Sequence, residues 1–429
     1  MGKSLFIDHN RINLHSIKFK TMLLDVIAAS AAVMDTVRDF GMEQVPFTSA
    51  RGRVLREPVL ADRDFPPYNR VTMDGIALDY ETYAKGQTVF GVEDLQAAGM
   101  PRMQLSNTAN CMEVMTGAIL PEMTDTVIPY EHLSATEHEG FKRFTIHAAV
   151  EQGQNIHSQG ADAMAGQLLI PAGTLLSPAE IGVLASVGKT MVQVSRLPKV
   201  AIIATGDELI PVDGIPDAHQ IRTSNSYGLA SALLELGITA TCYHVNDNEA
   251  AIAALFSSLM DADVWICTGA VSAGKYDYLP QVLEKLGMLM IFHKVQQKPG
   301  KPFLFGQFGT TDTEHETGPV VFALPGNPVS GFMCCYRYIL PWLRASLQYE
   351  APPVPYAVLG TDVSFNAPLT YFLPVRLHPV AGGQFIALPP PYHGSGDLAA
   401  LLQADGFLEL AADKDFFEKG SSYPVWKFR

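Results

Sequence analysis

From Pro198 onward, short apolar runs alternate with stretches whose apolar residues recur every three or four positions, the pattern of strands alternating with amphipathic helices. Val200-Ala-Ile-Ile203 predicts a strand ending at Thr205-Gly-Asp-Glu208. Leu229, Leu233 and Leu236 then share a helical face that Gly237 stops. A strand from Ile238 to Val245 precedes a helix with Ile252, Leu255, Phe256 and Leu259 on one stripe. Asp263-Val-Trp-Ile-Cys-Thr268 reads as a buried strand that runs into the small-residue loop Gly269-Ala-Val-Ser-Ala-Gly-Lys275. A helix, a further strand and the loop Lys298-Pro-Gly-Lys-Pro302 follow, and Val320-Val-Phe-Ala-Leu324 delivers Pro325-Gly-Asn-Pro328 to a long apolar helix. The alternation predicts a doubly wound parallel sheet with helices on both faces.

Elsewhere the period changes. Residues 1–20 form an extension without periodicity, and the helical pattern from Met22 to Arg38 predicts an N-terminal helix, 21–40, packing on the α/β domain. Residues 76–156 alternate short β-like runs with Gly and Pro breaks, as a β-rich domain does. Segments 41–75 and 157–196 are assigned to a small mixed linker domain. Its loop Phe65-Pro-Pro-Tyr-Asn-Arg-Val-Thr-Met-Asp-Gly75 is irregular, and Ser177-Pro-Ala-Glu180 marks a capped helix start that Gly188 closes. The doubly wound domain spans 197–349. After Trp342 a period of two marks strands at Tyr356 to Val363, Tyr371 to Leu377, Gln384 to Leu388 and Gly406 to Ala411, so 350–429 is a β-barrel entered through Pro352-Pro353. The fold class expected is α/β multidomain: a doubly wound parallel-sheet domain, inserted β-rich domains and a C-terminal all-β barrel.

A chain of 429 residues exceeds one core. Its net charge of −14 repels polyanions, which disfavours nucleic acid as a partner. Any anionic ligand must therefore be drawn by a local cluster, and Lys275, Lys285, Lys294, Lys298 and Lys301 form one along the sequence. The odd set Cys111, Cys242, Cys267, Cys334 and Cys335 has no Cys-x-x-Cys, so buried, reduced thiols in a cytoplasm are expected. No apolar run approaches the roughly 18 residues of a membrane span, and residues 1–20 lack a signal-peptide pattern, so a soluble cytoplasmic protein without a membrane partner is expected.

The loops just described leave strand carboxyl ends, where open α/β sheets hold ligands. Asn327 reads as a helix N-cap and Pro328 as its first residue, with unpaired N–H groups behind them. Glu208, Asp247, Asp277 and the Lys298 and Pro325 loops share that rim, a combination suited to a phosphate-type anion and a hard cation such as Mg²⁺. Helix capping is the plain alternative for Asp247 and Asp277, solvation for Asp207 and Glu208, and a turn carboxylate for Asp74; Thr116 and Asp162 are unremarkable singly. Gly269 to Lys275 has the form of a phosphate loop, but Tyr276 replaces the Ser or Thr that reaches Mg²⁺, so an ATPase is disfavoured. Gly188-Lys-Thr190 falls at a helix end, and Gly394-Ser-Gly-Asp-Leu-Ala399 matches a dinucleotide fingerprint inside an all-β region, so both are taken as chance. No zinc spacing or nucleophile elbow is present.

Met73-Asp-Gly75, Met115-Thr-Gly-Ala118, Gln154-Asn-Ile156, Thr205-Gly-Asp-Glu-Leu209, Ser224-Asn-Ser226, Val271-Ser272, Lys298-Pro-Gly-Lys-Pro302 and Leu324-Pro-Gly-Asn-Pro-Val-Ser330 resemble, in order, the motifs of the molybdopterin molybdenumtransferase family, which includes the gephyrin C-terminal domain. The resemblance runs from residue 21 to the end. It implies molybdenum cofactor biosynthesis: adenylyl-molybdopterin and molybdate yield cofactor and AMP, with Mg²⁺. It also implies a homodimer whose cleft joins the doubly wound domain of one subunit to the β-rich region of the other. The upstream molybdopterin adenylyltransferase and recipient apo-molybdoenzymes are the protein partners to consider. Mapped by motif, the acidic site residues are Asp74, Asp162, Glu208, Asp247 and Asp277, the last three as metal ligands. Lys294 and Lys298 join the catalytic set, and Thr116, Ser272, Lys275, Lys301, Pro325, Asn327 and Pro328 the substrate-binding set. The family's Phe-Asp-Asn-Ser is here Tyr68-Asn-Arg-Val71, its Ser-Gly-Gly-Val-Ser is Thr268-Gly-Ala-Val-Ser272, Lys275 replaces an acid, and the arginines usual after Asn-Ile are His157-Ser-Gln159. Arg70 and Lys275 partly offset that lost charge near Asp162. A non-catalytic molybdopterin carrier or scaffold, or a nucleotide-dependent phosphotransferase, is the alternative.

Overall fold

The computed structural model describes residues 23–269, 271, 278–309 and 318–429, in two compact units. An inserted unit comprises Val45–Arg51 and Leu55–Val192; the main unit comprises Gly52–Val54 and Gln193–Arg429 with the described part of Met1–Gln44. Helix α1 (Val26–Met34) opens the main unit, capped by Asp25, and turns Val26, Ala29 and Val33 inward. Leu24 bridges Val295, and Arg337 donates to Ser30 Oγ at 2.6 Å, which fastens α1 to later parts of the same unit.

In the inserted unit, β1 (Arg70–Val71), β2 (Gly75–Leu78), β3 (Val89–Gln96), β4 (Asn110–Val114), β5 (Thr126–Pro129), β6 (Leu133–His138), β7 (Phe141–Ile146) and β8 (Ile156–His157) precede helix α2 (Pro178–Ser186). Six of the strands form one sheet in the order β5-β2-β4-β3-β7-β6. Its two faces follow the period of two: Ile76 and Leu78 pack with Phe90, Cys111, Ile128 and Phe144, whereas Ala77 packs with Val71, Val114 and Val127. Strands β1 and β8 pair separately and antiparallel, with Arg70 opposite His157 and Val71 opposite Ile156. Helix α2 has the Ser177/Glu180 capping box its sequence predicts.

The main unit continues with β9 (Val200–Thr205), α3 (Asn225–Leu233), β10 (Ala240–Val245), α4 (Glu249–Ser258), β11 (Val264–Thr268), α5 (Leu279–Lys285), β12 (Met288–His293), β13 (Gln297–Lys298), β14 (Leu304–Phe308), β15 (Val320–Leu324) and α6 (Pro328–Cys334). The sheet order is β10-β9-β11-β15-β14-β12. Five of these strands run parallel, and β14 runs against both neighbours. The sequence pattern left this reversed strand out. Its connection from β12 is too short for a parallel crossover, so the chain can only fold back. Fully buried Trp265 lies between Phe256 and Phe308, at ring separations of 4.7 and 5.1 Å, on one face of the sheet. On the other face Trp342 meets Phe322 edge-on at 5.4 Å. Helix α6 passes through a π-turn, Cys335–Ile339, into a helical segment from Leu340 to Ser346. Pro341 accounts for the break, since it has no N–H to donate and crowds the carbonyl a turn earlier.

The C-terminal strands β16 (Tyr356–Leu359), β17 (Thr370–Pro379), β18 (Phe385–Leu388), β19 (Gly406–Leu410) and β20 (Ser422–Lys427) close into a five-stranded barrel through the β17–β19 pairing. Strand β20, which pairs with β16 and β19, is one the period of two did not mark. Strand β13 adds to the edge of β17. Arg337 ties the long helix to the barrel: its Nε donates to Glu409 at 2.9 Å and its guanidinium lies 4.5 Å from the Trp426 ring centroid. The five thiols are free, four of them buried and Cys242 exposed, contrary to the expectation that all are buried. Among the described residues no helix is long and apolar enough to cross a membrane.

Candidate active site

In the main unit the loops after β9, β11 and β15 meet at one edge of the sheet. Gly269 has φ 97°, and a Cβ on it would stand 2.5 Å from the Thr205 carbonyl oxygen, so the residue must be glycine for the loops to close up. A Cβ on Gly326 would lie 3.6 Å from Gly269, and Asn225 at the start of α3 donates to the Gly326 carbonyl at 2.7 Å. Histidines at the ends of β10 and β12, His244 next to last and His293 last, lock adjacent loops. His244 Nε2 lies 2.9 Å from the Gly206 carbonyl and His293 Nε2 lies 2.8 Å from that of Val271, contacts that require the proton on Nε2 because a carbonyl only accepts.

Glu208 follows β9 at this edge and is exposed; Asp247 follows β10, and its N–H donates to Asp207 Oδ1 at 3.1 Å. The capping role open to Asp247 belongs instead to Asn248, whose side chain accepts from Ala251 N–H at 3.0 Å. Among the described residues no group of three or more His, Cys, Asp or Glu is arranged to hold a metal ion. The donors at the edge are carboxylate oxygens, few in number. That set fits Mg²⁺, which takes one or two carboxylates and completes its shell with water and phosphate oxygens.

Strand β12 runs parallel to β9 and β11, so Lys294 emerges on the same edge. Its φ of 131° is a conformation non-glycine residues avoid, at about 1–3 kcal/mol. It persists because its N–H donates to Phe303 O at 3.0 Å and its carbonyl accepts from Leu24 N–H at 3.3 Å. Lys298 and Lys301 are exposed on the loop between β12 and β14, with the Lys298 ammonium 5.5 Å from the Phe365 ring centroid. Fully buried Gln297 braces that loop. Its Nε2 donates to Gly300 O at 3.0 Å, and its Oε1 accepts from the Tyr338 hydroxyl at 2.5 Å.

The start of α6 departs from expectation. Asn327 occupies the N-cap position without capping; its amide donates to Ser395 Oγ at 2.9 Å. Val329 N–H donates to Ser395 O, and those of Ser330 and Gly331 donate to Asn327 O. The unpaired amides expected there are therefore already engaged. Pro325 is buried and Pro328, partly buried, has no N–H to offer. Ser395 belongs to the Gly394-Ser-Gly396 string taken as chance, and the fold brings it to this edge by a route no local pattern signals. Ser272, Lys275 and Asp277 lie outside the described residues.

The inserted unit carries a second group of predicted residues. A Cβ on Gly75 would stand 1.9 Å from the Ile128 carbonyl oxygen, so β2 and β5 can pair there only through glycine, and Asp74 is fixed one residue before. Asp74 Oδ1 accepts from the Thr116 N–H at 2.6 Å and the Thr116 hydroxyl at 2.8 Å, which hold its carboxyl below the usual carboxylate range. Gly117 N–H donates to Val71 O and Val71 N–H to Ala118 O, both at 2.9 Å, which joins these loops, and Thr72 N–H donates to Asn155 O at 3.0 Å. Asp162 then contacts His157, Oδ1 to Nε2 at 2.9 Å, while Arg70 reaches His157 Nδ1 at 3.0 Å. Asp74, Thr116 and Asp162 thus stand on hydrogen-bonded neighbouring loops of one unit.

The family described as MoeA N-terminal region (domain I and II) matches residues 24–188, Probable molybdopterin binding domain matches 201–345, and MoeA C-terminal region (domain IV) matches 356–428. A molybdopterin molybdenumtransferase of Synechocystis sp. is 36% identical over 406 residues, covering 94% of this chain and 100% of that protein. One from Bacillus subtilis is 30% identical over 395 residues, covering 90% of each. The solved structure of a molybdopterin biosynthesis MoeA protein from Pyrococcus horikosii superposes with a TM-score of 0.78 at 27% identity, over 95% of this chain and 100% of that one. The chain belongs to the MoeA family, the molybdopterin molybdenumtransferases.

Proposed function

We propose that this chain acts in molybdenum cofactor biosynthesis by inserting molybdate into adenylyl-molybdopterin and releasing AMP. What supports the proposal is that Glu208, Asp247 and Lys294 follow β9, β10 and β12, three strands of the main sheet that run in one direction, while Lys298 and Lys301 are exposed on the segment between β12 and β14. Adenylyl-molybdopterin is a polyanion at its phosphoanhydride, which a protein of net charge −14 would repel without such a local cluster. Lys298 and Lys301 grip the phosphates, and Lys294 steadies the charge that collects on AMP as the anhydride opens. Ser272, Lys275, Pro325, Asn327 and Pro328 shape the remainder of the pocket. Asp74, held ionised by Thr116, acts with Asp162 as molybdate enters, and no covalent intermediate with the protein is needed. Glu208, Asp247 and Asp277 are the residues that would hold Mg²⁺, an ion that screens phosphate charge when bound. The working form is a homodimer in the cytoplasm, supplied by a molybdopterin adenylyltransferase and discharging to apo-molybdoenzymes.

Reconstitution of an apo-molybdoenzyme with adenylyl-molybdopterin, molybdate and Mg²⁺ tests the proposal. Wild-type protein should yield active enzyme and AMP together, and Asp74→Ala should bind the adenylate without inserting metal. Binding without turnover by the wild type would make the chain a carrier; turnover of Mg²⁺-ATP without pterin would make it a phosphotransferase. Either result ends the proposal.

A further inference from the structure

We propose that His157 is a positioning residue for Asp162, locked by Arg70 in the single ring tautomer that can donate to that carboxylate. Pairing of β1 with β8 sets Arg70 directly opposite His157. One guanidinium nitrogen lies 3.0 Å from His157 Nδ1, and the other ring nitrogen, Nε2, lies 2.9 Å from Asp162 Oδ1. A guanidinium has donors and no acceptor, so Nδ1 must present its lone pair, and the ring proton is left on Nε2, where it donates to Asp162. The opposite tautomer would set two donors against each other at Nδ1 and a lone pair against the carboxylate at Nε2. Doubly protonated imidazole would still oppose Arg70. The neutral Nε2–H ring alone satisfies both contacts.

Asp162 has need of such a partner, because its side chain is 57% exposed. A carboxylate that open to water turns freely among rotamers, and the ring holds one of its oxygens in place. The backbone beneath is itself pinned: Asp162 N–H donates to Phe65 O at 2.8 Å, Gly160 N–H to Pro66 O at 3.0 Å and Gln159 N–H to Asn69 Oδ1 at 2.9 Å. Gln159 Nε2 also holds Asp64 at 2.9 Å, which directs that second carboxylate to its own partner. The series Arg70, His157, Asp162 therefore transmits the fixed register of a strand pair to a solvent-facing acid. Its catalytic consequence rests on the proposed reaction, in which Asp162 takes part; the tautomer lock does not.

The test uses the full chain, labelled with ¹⁵N-histidine, and the variants His157→Phe, His157→Gln and Arg70→Met. Wild-type His157, identified by its disappearance in His157→Gln, should show unprotonated Nδ1 and protonated Nε2, and Arg70→Met should give a mixture of tautomers. In the reconstitution assay His157→Phe should lose about 10–100-fold in turnover with KM for adenylyl-molybdopterin unchanged, the range typical of lost orienting partners. His157→Gln, which keeps a donor near the Nε2 position, should recover most of that loss. Averaged tautomers in the wild type, an unchanged ring spectrum in Arg70→Met, or wild-type turnover by His157→Phe would each overturn the inference. Should His157→Phe fail to fold, reduced turnover in Arg70→Met, which alters an exposed side chain, carries the same decision. An inactive wild-type protein refutes the proposed reaction instead, and the ring spectra still decide the lock.

Discussion

Replacing Gln297 with Leu should destabilise the main unit and slacken the loop that carries Lys298 and Lys301. Gln297 is fully buried and Tyr338 is 2% exposed, so water cannot replace the lost bonds. The change leaves the Tyr338 hydroxyl and the Gly300 carbonyl without the amide that now serves both. Each orphaned group costs about 1–3 kcal/mol, giving a loss of roughly 2–6 kcal/mol. The three tryptophans, Trp265, Trp342 and Trp426, all fall in the main unit, so urea unfolding followed by tryptophan emission reports on that unit alone. Adding Tyr338→Phe removes one orphan and should return about 1 kcal/mol or more, a coupling that a double-mutant cycle isolates. Affinity for adenylyl-molybdopterin should fall in Gln297→Leu and partly return in the double variant. A single variant within about 0.5 kcal/mol of wild type, or no relief from Tyr338→Phe, would refute the bracing role.

Thr116→Val should raise the Asp74 carboxyl toward its ordinary value, read by carboxyl ¹³C titration; an unmoved titration would show that the hydroxyl does not matter. Because Asp74 titrates lower folded than unfolded, its contribution to stability is complete above the unfolded value, about pH 4, and is lost as pH falls through the folded one, so Thr116→Val should show less of this acid loss. Gly75→Ala must part β2 from β5, and the inserted unit should lose about 1–3 kcal/mol or more, with faster hydrogen exchange at Thr126–Pro129; unchanged protection there would contradict the 1.9 Å approach. Lys298→Ala should weaken adenylyl-molybdopterin binding roughly tenfold at low ionic strength and flatten its salt dependence, and an unchanged low-salt affinity would remove this lysine from the site.

Legibility in the sequence followed the range of the forces involved. Strands β9, β11 and β15 are buried on both faces and read as unbroken apolar runs, so the core of the sheet was plain. Strand β14 escaped because its reversal depends on which neighbour it joins, a matter of topology and not of period. Strand β20 escaped because Pro424 and Lys427 break its alternation while barrel closure supplies its partners. The capping box at Ser177 is local chemistry and forms as read. At Asn327 the local rule failed, since Ser395, distant in sequence, takes both the side chain and the first helical N–H. Arg70 was named from the sequence as a compensating charge, but its route through His157 to Asp162 required the pairing of two short strands that no pattern shows.

The division of the main unit around an insertion also sets the order of events on the ribosome. Helix α1 is made early, yet the guanidinium that fastens it is encoded 307 residues after Ser30. At ordinary elongation rates that delay is roughly 15 to 60 s, and the buried face of Val26, Ala29 and Val33 waits for the rest of the main unit, which, Gly52–Val54 aside, resumes only at Gln193. Nascent chains stalled within the inserted unit should therefore display this apolar stripe to chaperones or to proteases, and lose that exposure once the remainder of the main unit has emerged.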